Sequence, residues 1–361
     1  MSLSQVTTNP TVRAASELER DRRRPLPLDA VLADLDRALH NGEMRVHLPV
    51  STGFEELDRV VGGGLRPGEL MLIGGSQGIG KTTLTLQMAR KMAMSGAQVL
   101  YVCYEHDERF LLTRLLTMEN FEPTDGDEDD GGERGMRLRD VLARIDDTGQ
   151  REDAGLQALV AGSPTLARAA ARMSVYAQRL LLLRGSGSYT DLPALAAEVS
   201  ALRDADPNTP CVLFLDYLQK VPVHPESLSE SESVTHVVEG LKDLALALGM
   251  SVVAIVAAEK EGLRAPRLRL HHLQGSSAIL YEADVILILN EKHRIVTRQH
   301  LTFNSHQAQS LHSWVVGSIE KNRTGRSMVD LEFRKRFEYA CFDSADRLVA
   351  ETLIDERIER D

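Results

Sequence analysis

The chain has 361 residues, a net charge of -11 and 43% hydrophobic residues, values of an ordinary globular protein with one large α/β domain or one domain with appendages. The acidic balance argues against a generally basic, nucleic-acid-coating surface, although a ring can hide a basic channel inside an acidic shell, and 4% aromatic residues advertise no base-stacking platform. No apolar stretch reaches the ~18 residues of a membrane-spanning helix, and the N-terminus lacks the apolar core of a signal peptide.

Residues 1–27 read as a disordered tail with a basic cluster, Arg20, Arg22, Arg23 and Arg24, diluted by Glu17, Glu19 and Asp21 and closed by Pro25 and Pro27. In the segment 28–49 an amphipathic helix follows, with Leu28, Val31, Leu32, Leu35 and Leu39 on one stripe. Standing before the core, that stripe must bury against its own domain or a neighbouring subunit.

From residue 50 strands and helices alternate to about 343, the pattern of a mostly parallel twisted sheet with helices on both faces. Strands are expected at 70–74, 98–104, 180–184, 211–216, 251–257, 284–290 and 314–319, then an antiparallel pair at 328–333 and 338–342. Helices fill the gaps, among them 234–248 and 276–282, and 344–361 reads as a C-terminal tail.

The apolar run Leu70-Met71-Leu72-Ile73 leads into Gly75-Ser76-Gln77-Gly78-Ile79-Gly80-Lys81-Thr82, a G-x-x-x-x-G-K-T phosphate-binding loop, and then into a helical segment from Thr82 to Met92. Each position has a physical task. The glycines let backbone N–H groups turn inward to phosphate oxygens, Lys81 reaches the β and γ phosphates, and the Thr82 hydroxyl ligates Mg²⁺. With Thr83 beside it, the loop opens a helix N-terminus, where the dipole favours an anion. A nucleoside triphosphate, ATP with Mg²⁺, is the expected ligand.

The strand 98–104 ends at Glu105, placed to polarise the water that attacks a γ phosphate. Glu105 has other readings beside this general base: a surface residue, or a cap for the helical segment starting at Asp107. The insertion 121–178 carries an acidic run, Asp125, Asp127, Glu128, Asp129, Asp130 and Glu133. A calcium loop would need glycine at its sixth position and glutamate at its twelfth, where Asp130 and Met136 stand, so a solvated loop is expected. Cys211-Val212-Leu213-Phe214-Leu215-Asp216 is an apolar strand ending in an acid, expected to emerge beside the phosphate loop with Asp216 on the Mg²⁺ through water. Cys103, Cys211 and Cys341 lie in or beside apolar runs without C-x-x-C spacing, as buried thiols of a reducing cytoplasm do.

Further motifs arrive in a telling order. Ser51-Thr52-Gly53-Phe54-Glu55-Glu56-Leu57-Asp58 and Gly62-Gly63-Gly64-Leu65-Arg66-Pro67-Gly68-Glu69-Leu70 precede the loop; Glu105, Asp216-Tyr217-Leu218-Gln219, Gly275-Ser276-Ser277-Ala278-Ile279 before Ala283-Asp284, and Lys321-Asn322-Arg323-Thr324-Gly325 follow it. Over about 28–343 the chain resembles the RecA-like ATPase domain of DnaB-like replicative helicases, more closely than KaiC or RadA. The resemblance implies a ring of subunits, a homohexamer, with ATP between neighbours. It makes Arg323 an arginine finger acting across the interface, Lys321 its companion, and the helix from Leu28 a linker packing on the next protomer.

The resemblance also implies central loops that face single-stranded DNA. The second carries Lys260, Arg264, Arg267, Arg269, His271 and His272 before Gln274-Gly275-Ser276-Ser277, and both charges and turn amides suit phosphates. Those arginines have a second reading, pairing with acids of a neighbouring subunit. The first loop, Pro222 to Ser233, bears Glu226, Glu230 and Glu232 and should repel phosphates. Two departures bear on activity: Ala257 or Ala258 stands where the family has a γ-phosphate-sensing glutamine, and only residues 1–27 precede the linker, without the primase-recruiting domain. Three readings therefore stand: a DNA-translocating ATPase, an assembly or signalling ATPase that switches a protein partner, and a nucleotide-bound scaffold.

Overall fold

The computed structural model describes residues 25–121, 135–152, 155–224, 228–259, 262–273, 276–297 and 310–354. The basic tail up to Arg24, the acidic run 125–133, Glu226, Lys260, Gln274, Gly275 and the side chain of Ser276 lie outside them.

Two units divide the chain at His47/Leu48. The first contains helix α1 (Leu28–Asn41), which ends at Gly42 in the left-handed region, φ 72°, with the Gly42 N–H on the Ala38 and Leu39 carbonyls. Its predicted stripe, Leu28, Val31, Leu32, Leu35 and Leu39, is exposed.

The second unit runs α2 (Glu55–Val60), β1 (Leu70–Gly75), α3 (Lys81–Met94), β2 (Gln98–Cys103), α4 (Glu108–Asn120), α5 (Leu138–Gly149), α6 (Leu156–Val160), α7 (Pro164–Ser174), β3 (Leu180–Arg184), α8 (Leu192–Ala205), β4 (Cys211–Asp216), α9 (Glu230–Leu248), β5 (Ser251–Ala257), α10 (Ser276–Glu282), β6 (Val285–Glu291), α11 (Lys292–Ile295), β7 (Trp314–Asn322), β8 (Val329–Arg336), β9 (Cys341–Phe342) and β10 (Arg347–Leu348). One sheet has the order β10-β8-β7-β6-β1-β5-β4-β2-β3, with β9 on β8. It is parallel from β6 to β3 and antiparallel from β7 outward.

Strand alternation divides the core. Met71 and Ile73 of β1 join Leu84, Met88, Tyr101 and Phe214 on one face, while Leu70 and Leu72 join Leu213, Val237, Leu241 and Val252 on the other. Burial of both faces explains the unbroken apolar runs of the central strands. The described part of the insertion is helical and closes a small core of Leu116, Val141, Leu166 and Ala169. Its α7 is tied down by Arg172, which donates to the Glu119 carbonyl at 2.9 Å, while the buried Glu119 carboxylate chelates Arg90.

Two differences from the sequence reading have identifiable causes. Helix α9 begins four residues before the predicted 234, because Ser229 and Glu232 form a capping box; Glu230 and Glu232 thus sit in a first turn, where acids suit the helix dipole. Residues 346–354, read as tail, are drawn onto the sheet. Asp346 accepts the Glu56 and Leu57 N–H groups at the start of α2 at 3.0 and 2.7 Å, and Ile354 N–H donates to Ile295 O at 2.7 Å. Glu351 reaches the buried Lys292 ammonium at 2.7 Å, which also pairs with Glu332, while Arg347 lies 4.5 Å over the Trp314 ring.

The three cysteines are buried, and desolvation pushes Cys103 and Cys211 up to about 11 and Cys341 to about 12. Alkylation at pH 8 should therefore be negligible in the folded chain and complete for all three thiols in denaturant, as read by intact mass.

Candidate nucleotide site

The carboxyl edge of the parallel strands gathers the predicted phosphate and metal residues. Gly75 ends β1, the loop follows, and Lys81 opens α3. At Gly80, φ is +101° and a Cβ would stand 2.5 Å from the Phe337 ring, so only glycine fits this turn. The Lys81 ammonium folds back over the loop, donating to the carbonyls of Gly75 at 2.8 Å and Ser76 at 2.9 Å. Burial lowers its pKa against the pull of Asp216 and Glu105.

Asp216 ends β4 and is 2% exposed. Its strand does not emerge beside the phosphate loop: β5 intervenes, pairing β1 on one side and β4 on the other. Burial raises the Asp216 carboxyl above the usual carboxylate range; the nearby Thr82 hydroxyl opposes that rise and Glu105 adds to it. Tyr101 supports the pair from below, its hydroxyl 2.9 Å from Thr85 Oγ1 and donating to Asp216 Oδ2 at 3.4 Å. A desolvated carboxylate beside a threonine hydroxyl is a hard-oxygen set that fits Mg²⁺, whose charge would relieve the cost of burying Asp216.

Glu105 follows β2 and is exposed. The helix-cap reading fails for it, because Asp107 caps α4 by accepting the Phe110 N–H at 2.9 Å. Next to it is an arrangement the sequence did not announce. The Phe110 ring stacks on His106 with centroids 3.7 Å apart, and the Arg114 guanidinium lies 4.5 Å from the centroid of the same ring. Their spacing of four along a helix start was the available signal.

Ala257 is occupied from another direction. The Gln219 side chain accepts the Ala257 N–H at 3.1 Å and donates to its carbonyl at 3.5 Å, so the glutamine of the D-Y-L-Q run clamps the tip of β5.

Lys321 and Arg323 are not in this cluster. Strand β7 is antiparallel to β6, with Asn322 opposite Val285 and Val315 opposite Glu291. Its end therefore lies at the amino edge of the parallel strands, where Asp284 accepts the Leu70 N–H at the start of β1. The phosphate loop lies at the other end of β1, six residues away, a length of roughly 20 Å. No arginine side chain spans that distance.

The predicted nucleic-acid residues also divide. Arg264 is exposed, but Arg267 and Arg269 are 2% and 8% exposed, which corrects their reading as DNA contacts in this conformation. Arg267 pairs with Asp330 and donates to Ser318 Oγ at 2.8 Å and Ile354 O at 3.2 Å. Arg269 pairs with Glu320 at 2.7 Å. Between them Asn290 clasps the Leu268 backbone, so the stretch is sewn onto β6, β7 and β8. Their acids come from this same chain; carboxylates within otherwise apolar strands, Glu320 and Asp330, were the available signal.

The profile of the DnaB-like helicase C terminal domain matches residues 49–123 and 165–342. The chain belongs to this family. The unmatched stretch falls inside the insertion. Among solved structures, the fold matches an isolated ATPase domain with a TM-score of 0.67 at 18% identity, over 88% of this chain and 99% of that one. It also matches a DnaB-like replicative helicase, described with its interactions with primase, with a TM-score of 0.63 at 18% identity, covering 92% of this chain and 72% of the other. These likenesses establish the RecA-like fold. Locally the chain is 51% identical over 57 residues to the DNA repair protein RadA of Mycobacterium tuberculosis, 16% of this chain and 12% of that protein. The RadA of Synechocystis is 46% identical over 76 residues, 20% and 15% of the two chains. The matched stretch is thus a small part of those relatives. Among the described residues no helix is long and apolar enough to cross a membrane.

Proposed function

We propose that this chain is a Mg²⁺-dependent ATPase whose active site is shared between neighbouring copies in a ring, a homohexamer in the family pattern, and whose turnover drives movement on single-stranded DNA. One observation carries the shared site: Lys81, Thr82, Asp216 and Glu105 stand at one edge of the sheet, while Lys321 and Arg323 stand at the other. A chain with that layout needs a second copy to bring the two halves together.

In this reading the loop amides from Gly75 to Thr83 cradle the triphosphate, and Lys81 leaves its loop carbonyls for the β and γ oxygens. Thr82 and Asp216 would hold Mg²⁺, which would supply charge neutralisation to the phosphates. Glu105 orients the attacking water and accepts its proton. From the adjacent copy Arg323 and Lys321 neutralise charge that develops on the transferred phosphoryl group, a contribution worth about 10³–10⁵ in rate where such a finger is complete. For DNA, Arg264 remains exposed, and membership of a helicase-domain family supports a nucleic-acid substrate.

The test is ATP turnover with and without single-stranded DNA, with Lys81→Ala as the blank. Several-fold stimulation that fades as salt rises is expected, because backbone contacts release counterions. Turnover indifferent to DNA would overturn the motor and leave an ATPase acting on some other partner, and turnover no greater than the blank would overturn hydrolysis itself.

A further inference from the structure

Lys321 and Arg323 are two like charges two residues apart on one face of a strand end, and both are held within their own chain. Lys321 Nζ donates to the carbonyls of Leu280 at 2.5 Å and Tyr281 at 3.3 Å. Arg323 Nη2 donates to the same Tyr281 carbonyl, its Nη1 lies 3.3 Å from Asp284 Oδ1, and its backbone N–H donates to Asp284 O at 3.0 Å. The acceptors are the last carbonyls of α10, which have no helical partner and carry the negative end of the helix dipole.

Asp284 is built so that Arg323 can leave. The residue is 5% exposed, yet its Oδ2 already accepts the Leu70 N–H at 2.8 Å and the Lys242 ammonium at 2.7 Å. Lys242 is in turn fixed by the Gly68 carbonyl at 2.7 Å. Departure of Arg323 therefore strands no buried ion. The Arg323 side chain is 48% exposed, the setting in which ion pairs are weak and exchangeable. A triphosphate offers more negative charge than one shared carboxylate and two carbonyls.

We infer that Asp284 and the C-terminal carbonyls of α10 form a dock that holds Lys321 and Arg323 back from a neighbour's phosphates, making Asp284 a positioning residue for the cations that act in trans. The inference rests on the shared-site reading above. Helix α10 follows the segment read as facing DNA, so a shift of α10 withdraws the Leu280 and Tyr281 carbonyls from both cations at once. The dock thereby sets how readily the cations cross the interface.

The experiment uses the full chain with saturating Mg²⁺ and ATP. Asp284→Asn keeps an acceptor for the Leu70 N–H but loosens Arg323, so DNA-free turnover should rise about two- to fivefold, the population factor of a half-exposed pair. The ratio of stimulation by single-stranded DNA should shrink by the same factor. Should that variant fold poorly because Lys242 is left buried and unpaired, Lys242→Met/Asp284→Asn removes both charges and carries the same expectation. A purely structural role for Asp284 predicts lower turnover with an unchanged stimulation ratio, and that result would overturn the dock. Mixing Lys81→Ala chains with Arg323→Ala chains separates the two ideas. Restored turnover in the mixture supports shared sites, and with it an unraised Asp284→Asn rate defeats the dock alone. A mixture that stays inactive defeats the shared site, and the dock with it.

Discussion

Replacing Glu105 by Gln should leave ATP bound and lower its turnover by about 10²–10⁴-fold, the span that a positioned general base contributes. The amide keeps the size and one acceptor of the carboxylate but cannot take up the proton of the attacking water. The hydrogen bonds that shape the phosphate site should survive the change. Asp107, not Glu105, caps α4, and Lys81 is fixed by the Gly75 and Ser76 carbonyls. Asp216 is held by the Tyr101 hydroxyl. Fluorescent-nucleotide titration should give the wild-type affinity, while a single-turnover assay shows the loss at the chemical step. Wild-type turnover in this variant would strip Glu105 of the role and return it to the surface. Lys81→Ala, by contrast, should lose binding and turnover together, since its ammonium faces ground-state and transition-state phosphate alike.

The second large effect concerns stability. Arg267→Ala should destabilise the fold by about 1–3 kcal/mol, the cost of leaving hydrogen-bonding groups of a half-buried seam unsatisfied. The orphan would be Asp330, which Arg267 and Ser318 now satisfy together; the Ile354 carbonyl would lose its donor as well. Arg264→Ala, at an exposed position, should change stability by no more than about 0.5 kcal/mol. Denaturant midpoints separate the two. If single-strand binding is measured in parallel, loss in Arg267→Ala should track unfolding, whereas Arg264→Ala should weaken binding in the folded protein and reduce its salt dependence. A folded Arg267→Ala with wild-type stability and lost DNA binding would restore Arg267 as a contact.

What could be read from the sequence was local. The strand–loop–helix from Leu70 to Met92 needs only its own residues to declare itself, because glycines, lysine and threonine hold fixed places in one continuous segment. The strand ending at Asp216 and the acid after β2 were legible for the same reason. What escaped depends on partners distant in the chain. Nothing in residues 211–216 says that β5 comes between them and the phosphate loop. Nothing near Arg267 and Arg269 names Asp330 and Glu320, so a run of arginines looked like a surface when it was a seam. Asp346 likewise accepts the N–H of Glu56, 290 positions earlier, at the start of a helix. The early start of α9 is a different case, because Ser229-x-x-Glu232 was in plain view and its acids were weighed for repulsion instead of capping.

The separation of Arg323 from the phosphate loop gives the molecule a front and a back. Copies that share sites in this way can only stack front to back, a heterologous contact that repeats without limit unless its rotation closes. An open row then always carries one bare phosphate loop and one idle arginine at its two ends. Closure removes both defects in a single step, so the number of working sites equals the number of subunits only when the row becomes a circle. Turnover per chain should accordingly rise with concentration and level off once circles dominate.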